Sequence, residues 1–226
     1  MIYKELIQKL PTLDSKVTNT TANSVWHDKD FTVTASFLET LKTSFNAGIY
    51  AEDFSNKATV DKINKWASDN TNAKIKKVIE EISPSQVMFL MNALYFKGDW
   101  KYPFDSKMTY KTDFQGLSQK KEISMMSQRQ TVPYYKSTTY QAFELPYGTG
   151  NYVMTVVLPN EESNVSNVIK AFKQSEWEKL QGSLSPAKIE IGLPKWSMEY
   201  SIKLNDVLNQ LGMPTAFSNQ ADLSKI

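Results

Sequence analysis

Apolar residues recur at helical intervals in the first third of this chain. Ile2, Tyr3, Leu6, Ile7 and Leu10 keep that spacing before Pro11, and Phe37, Leu38, Leu41 and Phe45 form one stripe within 34–45. Val60, Ile63, Trp66 and Ala67 share a face within 57–69, behind a cap at Ser55 or Asn56. Residues 200–211 give the most regular helical pattern. Leu204, Val207, Leu208 and Leu211 fall at i, i+3, i+4 and i+7, and Gly212 and Pro214 end the run. A further helix is expected within 163–180.

The other rhythm is that of strands. Val87–Phe96 is a nearly continuous apolar run, Tyr152–Leu158 a shorter one closed by Pro159, and Lys188–Leu193 alternates as KIEIGL. Gln141–Leu145 precedes the turn-like Pro146-Tyr147-Gly148, and Asn19–Trp26 and Ile49–Phe54 are weaker strand candidates. Helices and strands do not strictly alternate, so the expected class is α+β rather than a doubly wound sheet. No repeat or low-complexity linker divides the chain, which therefore reads as one domain, 1–226.

Residues 87–96 make a strand of roughly 33 Å at about 3.3 Å per residue, which needs a large sheet. Leu90, Leu94 and Phe96 point to one face and Phe89, Met91 and Tyr95 to the other, so cover on both faces is expected. Asn92 then falls in the middle of a buried strand. An unpaired buried amide costs about 1–3 kcal/mol, so partners on neighbouring elements are implied. Asn92 is either a satisfied structural asparagine or a polar latch where the sheet can open.

Composition narrows the chemistry. The net charge of +2 gives no reason to expect a polyanion partner through bulk charge, and no apolar run reaches the 18 or so residues of a membrane span. The opening MIYKELIQKL has charges interspersed, unlike a signal peptide. Absence of cysteine removes disulfides, thiolate catalysis and zinc-thiolate sites, and a single histidine, His27, removes multi-histidine metal sites. Trp26-His27-Asp28-Lys29-Asp30 reads as a polar turn after a strand. No G-x-S-x-G elbow, P-loop, H-E-x-x-H or dinucleotide fingerprint occurs, and Gly148-Thr149-Gly150 lacks the third glycine. Glu80-Glu81 and Glu161-Glu162 read as solvated charge at element ends. Lys74, Lys76, Lys77, Lys120 and Lys121 lack the interleaved aromatics of a nucleic-acid surface. No catalytic residue, metal or cofactor is expected. Asn19-Thr20-Thr21 and Asn164-Val165-Ser166 fit the glycosylation pattern, which matters only in a eukaryotic secretory pathway.

The stretch Asn92-Ala93-Leu94-Tyr95-Phe96-Lys97-Gly98-Asp99-Trp100, then Pro103-Phe104-Asp105 and Thr109–Phe114, resembles the serpin signature. Thr21-Ala22-Asn23-Ser24-Val25-Trp26, Ile63-Asn64-Lys65-Trp66, Thr71-Asn72-Ala73-Lys74-Ile75, Met125-Met126, Leu193-Pro194-Lys195, Leu211-Gly212-Met213, Ala216-Phe217-Ser218 and Ala221-Asp222-Leu223-Ser224 keep the family's order. The resemblance implies three β-sheets surrounded by helices, with 87–101 as a strand of the large sheet and 57–72 as the helix across its face. It implies inhibition of serine proteases, sometimes cysteine proteases, by a bait loop that inserts into that sheet after cleavage. The partner is then the target protease of the complete protein. The alternative within the family is a non-inhibitory member used for binding, transport or chaperoning.

By the same resemblance Asn92 matches the shutter under the sheet centre, and Trp100 and Lys195 match the breach, where the loop first enters. Lys195 is expected to pair with an acid at the base of that loop. The other members of the shutter are expected outside this chain. Only Lys4 and Lys9 remain on the first helix, so no polyanion site is assigned. An extracellular location is expected from the family alone. The pattern breaks at both ends: the resemblance implies a partial serpin without its first helices, bait loop and final strands, not inhibitory by itself and prone to self-association.

Overall fold

A computed structural model of the chain describes residues 2–116 and 119–226. In chain order its elements are α1 (Ile2–Lys9), β1 (Val17–Asp28), α2 (Ala35–Phe45), β2 (Gly48–Glu52), α3 (Lys57–Asn70), β3 (Met88–Gly98), β4 (Tyr110–Gln115), β5 (Lys120–Lys136), β6 (Tyr140–Tyr147), β7 (Tyr152–Pro159), α4 (Val165–Ala171), α5 (Gln174–Ser183), β8 (Ser185–Pro194) and α6 (Asn205–Gln210). The class is α+β, as the pattern predicts. The chain forms two compact units. One comprises the chain up to Leu13, Thr18–Lys97 and Glu199–Ile226, and the other Asp14–Val17 with Gly98–Met198.

The first unit is built on a three-stranded sheet in the order β2-β1-β3, with β1 and β2 parallel. Asp28 N–H donates to the Val87 carbonyl while Asn23 meets Asn92 further along, so numbering rises along β1 as it falls along β3. Asn56 starts α3 by accepting from Ala58 N–H (2.9 Å), and Thr71 Oγ1 ends it by donating to the Ala67 carbonyl (2.7 Å). Thr59, Ile63 and Ala67, four residues apart, form its buried face. Ile63 has no exposed surface and packs with Trp26 and Phe54, flanked by Phe89 and Met91 of β3. Truncating such a side chain to alanine costs about 2–5 kcal/mol. Helix α2 ends where Asn46 takes φ 50, which lets Ala47 N–H reach back to the Leu41 carbonyl.

One face of β3 therefore behaves as expected and the other does not. Phe89, Met91 and Ala93 lie toward α3, but Leu90 and Leu94 are 61% and 62% exposed, and Asn92 is exposed between them. Cover on both faces fails because on that side α2 reaches β3 only near Leu90 and Asn92, where Leu41 and Phe45 line a groove with them, and Leu94 is left to solvent. Strand β3 is also the edge strand of its sheet among the described residues.

The second unit is a five-stranded sheet in the order β4-β5-β6-β7, with β8 also paired to β5. The long β5 takes β4 antiparallel along Lys120–Met125 and β6 along Tyr134–Lys136, while β8 runs beside it from Met125 to Tyr134. Val132, Phe143, Leu145, Ile191 and Leu193 fill its core. Tyr140, Ala142, Val168 and Leu180 form a second cluster under α4 and α5. These are two sheets among the described residues, where the resemblance implies three for a complete fold.

Two readings need correction. The helix expected over 200–211 is only Asn205–Gln210. Before it, Trp196, Met198, Tyr200, Ile202 and Leu204 alternate with polar residues at the strand period, and all five are exposed without a partner strand among the described residues. The polar turn expected at Trp26–Asp30 begins later, because β1 continues through Asp28.

Candidate functional site

Asn92 sits on the open face of β3, yet it is bonded. Its Nδ2 donates to Asn23 Oδ1 at 2.9 Å and lies 3.5 Å from the Ala22 carbonyl. Asn23 Nδ2 in turn donates to the Phe45 carbonyl at the end of α2 (2.8 Å). The partners thus lie inside this chain, contrary to the expectation that they lie outside it. These two asparagines border a groove of about 190 Å³ that Leu41, Phe45 and Leu90 also line. Asn23 falls in the Thr21–Trp26 stretch, but its pairing with Asn92 is not readable from either segment alone, because register is set by how the strands meet.

On its α3 side β3 borders a cleft of about 470 Å³, lined by Thr71, Asn72, Lys74 and Ile75 after α3 and by Leu94 to Lys97. Asn72 Nδ2 donates to Tyr95 Oη across it (3.1 Å). The segment that follows α3 is tied down by Asn64. Its Oδ1 accepts from Val78 and Ile79 N–H (2.7 and 3.1 Å), and its Nδ2 donates to the Ile79 carbonyl (2.9 Å).

Trp100 lies in the second unit, just after β3. It bridges Tyr147 at the end of β6, and the two rings stack at 4.4 Å and 14°. Phe104 meets Trp100 edge-on at 6.3 Å, and both pack on the core that contains Leu193. Lys195 follows β8 two residues beyond Leu193. Its N–H donates to the Ser124 carbonyl (2.8 Å), its side chain is exposed, and among the described residues no acid pairs with it. Trp100 therefore packs on this core while Lys195 is exposed just beyond it in the chain, and Asn92 takes its bonds within the first unit.

The remaining candidates have structural explanations. His27 Nδ1 lies 2.9 Å from the Asp28 carbonyl at the end of β1. Glu80 pairs with Lys77 at 3.1 Å in solvent. Among the described residues no group of three or more His, Cys, Asp or Glu could hold a metal ion, and no helix is long and apolar enough to cross a membrane. Tyr140 is a strongly perturbed acid of the second unit. Burial, then the hydrogen bond to Glu176 Oε1 (2.9 Å), push its hydroxyl well above its ordinary range.

Comparison with known proteins gives one answer. The family model described as Serpin (serine protease inhibitor) matches residues 1–226. The chain is 32% identical over 216 residues to a serine protease inhibitor of Cyanea capillata, covering 91% of this chain and 57% of that protein. It is 31% identical over 236 residues to neuroserpin of Homo sapiens, covering 98% and 57%. The thermophilic serpin tengpin in its latent state superposes with a TM-score of 0.90 at 29% identity, over 99% of this chain and 61% of that one. The chain thus spans little more than half the length of the curated relatives it matches.

Proposed function

The chain belongs to the serpin family, and on that footing we propose that it is the sheet-bearing part of a protease inhibitor acting by strand insertion beside β3. The single observation that supports this reading is the open edge of β3. One side of β3 pairs with β1, while the other has no partner strand among the described residues, and Leu90 and Leu94 are exposed on one face of the strand. Such an edge gains both hydrogen bonds and apolar burial when a strand is added.

In this mechanism the inhibitor's own residues make and break no bonds. The target enzyme's serine attacks a bait loop and forms an acyl-enzyme. The freed loop then enters the sheet and carries the enzyme along before hydrolysis finishes. We assign the loop to the part of the protein outside residues 1–226, and Asn92 to the sheet that receives it. Asn92 holds β3 against β1 until insertion, and Trp100 and Lys195 border the place where the strand first enters. The target is a serine protease outside the cell, and the protein is an inhibitor rather than an enzyme.

The test is to incubate a form carrying the loop with serine proteases of different specificity. A protease–inhibitor complex that survives denaturing electrophoresis is expected. Cleavage of the loop with full release of active protease overturns the inhibitory reading and points to the binding or transport branch of the family.

A further inference from the structure

The carboxylate of Asp14, 2% exposed, lies inside the turn between β6 and β7. Oδ2 accepts from Thr149 N–H and from Thr149 Oγ1, both at 2.7 Å, and Oδ1 accepts from Lys16 N–H at 3.0 Å. Burial raises its pKa, but the bonds from Thr149, Lys16 and Asn151 outweigh burial and bring it down to about 2. Gly148 allows the carboxylate this close. It takes φ +51, and a Cβ there would stand 2.6–2.8 Å from the Asp14 carboxyl.

The same five-residue turn holds the chain that leaves β3. Gly148 N–H donates to the Asp99 carbonyl and Lys101 N–H to the Pro146 carbonyl, each at 2.8 Å. Tyr147 carries the ring on which Trp100 stacks. A Cβ on Gly98 would come within 3.0 Å of that Tyr147 ring. The turn is therefore clamped between Asp14 on one side and Asp99–Lys101 on the other. Its two positive-φ glycines, Gly148 and Gly150, would otherwise leave it free to rearrange.

We propose that Asp14 is a positioning residue for Trp100, acting through the Tyr147–Asn151 turn. Asp14 makes no contact with Trp100. It supplies the acceptor that fixes Gly148 and Thr149, and with them the Tyr147 ring one residue earlier. Remove the carboxylate and Thr149 N–H and Oγ1 lose their partner, the turn relaxes about its glycines, and the Trp100–Tyr147 stack loosens. The consequence for inhibition rests on the proposed function, but the positioning itself does not.

The experiment labels the chain with 5-fluorotryptophan and follows its five resonances by ¹⁹F NMR. Trp100→Phe assigns the Trp100 signal, and Tyr147→Leu marks its unstacked position. In Asp14→Ala the Trp100 signal is expected to move most of the way to that mark while Trp26, Trp66, Trp177 and Trp196 stay. Thr149→Ser, which keeps the hydroxyl, is expected to leave it in place. Where Asp14→Ala does not fold, Thr149→Val removes one bond alone and is expected to give a smaller shift in the same direction. An unmoved Trp100 signal in whichever of these variants folds overturns the proposal. A second arm puts Asp14→Ala into a loop-bearing form, where spontaneous conversion to the inserted state is expected to quicken severalfold. A moved Trp100 with unchanged conversion supports the positioning role and counts against Trp100 bordering the place of insertion.

Discussion

The Asn92 amide lies 2.9 Å from Asn23 Oδ1, and through Asn23 it joins β3 to the last carbonyl of α2. Three elements are thus linked on the exposed face of β3, beside the groove that Leu41 and Phe45 of α2 line. This link opposes separation of β3 from β1, and it is placed where a mobile sheet would need one.

Asn92→Ala removes the donor and leaves Asn23 Oδ1 to solvent. Because the pair is exposed, the cost in urea denaturation is expected at the low end of about 0.5–1.5 kcal/mol. A double-mutant cycle with Asn23→Ala should return a coupling on the order of 0.5 kcal/mol. In a loop-bearing form Asn92→Ala should also quicken conversion to the inactive or polymeric state. Unchanged conversion kinetics would leave Asn92 with a packing role only.

The unpaired edge of β3 with its exposed leucines is a template for self-pairing. Residues 1–226 expressed alone are expected to be oligomeric by light scattering, with the mass rising with concentration. Leu90→Lys with Leu94→Lys should lower that mass. A chain that is monomeric without these changes and melts cooperatively at high temperature would contradict this.

Asp14 and Asp53 are both depressed to about 2. Asp14 is lowered by its bonds from Thr149, Lys16 and Asn151 against the opposing effect of burial, and Asp53 by its bonds from Ser55 and Lys29. A folded-state pKa below that of the unfolded chain gives stability that is complete above about pH 4 and is lost as the pH falls toward 2. Urea midpoints should therefore fall across pH 4 to 2, and Asp14→Asn should flatten that fall. An equal slope in the variant would remove Asp14 from the account.

Two glycines make opposite predictions. Gly148→Ala forces a Cβ into the Asp14 carboxyl at a positive φ and should destabilise by more than about 1 kcal/mol. Gly182 lies in α5 with nothing within 4 Å of its missing Cβ, so Gly182→Ala should stabilise by up to about 1 kcal/mol. Denaturant midpoints of the two variants moving in the same direction would contradict the local reading.

The elements legible in the sequence are those that carry their own reason to form. Ile63 and Ala67 sit on a stripe behind the Asn56 cap, and Tyr152–Leu158 is apolar but for Thr155. The 17-residue β5 was not legible, because KKEISMMSQRQTVPYYK is largely polar and is held extended by ten paired positions on β8, remote in sequence. The helix at 205–210 was overdrawn because the alternation through Trp196–Leu204 overlaps its stripe. Asn92 was legible as a polar residue needing partners, but its exposure was not, since that depends on which elements pack over its face of the sheet. Asp14 gave no signal: its role exists only once the turn at Gly148 folds over it.

The central claim is that β3 receives a strand along its open edge. Hydrogen exchange of the β3 amides, measured on a loop-bearing form before and after proteolytic cleavage of the loop, tests this most directly. The account predicts that the amides facing away from β1, fast before cleavage, become strongly protected afterwards, with a marked rise in melting temperature. Unchanged exchange along β3 after complete cleavage would contradict it.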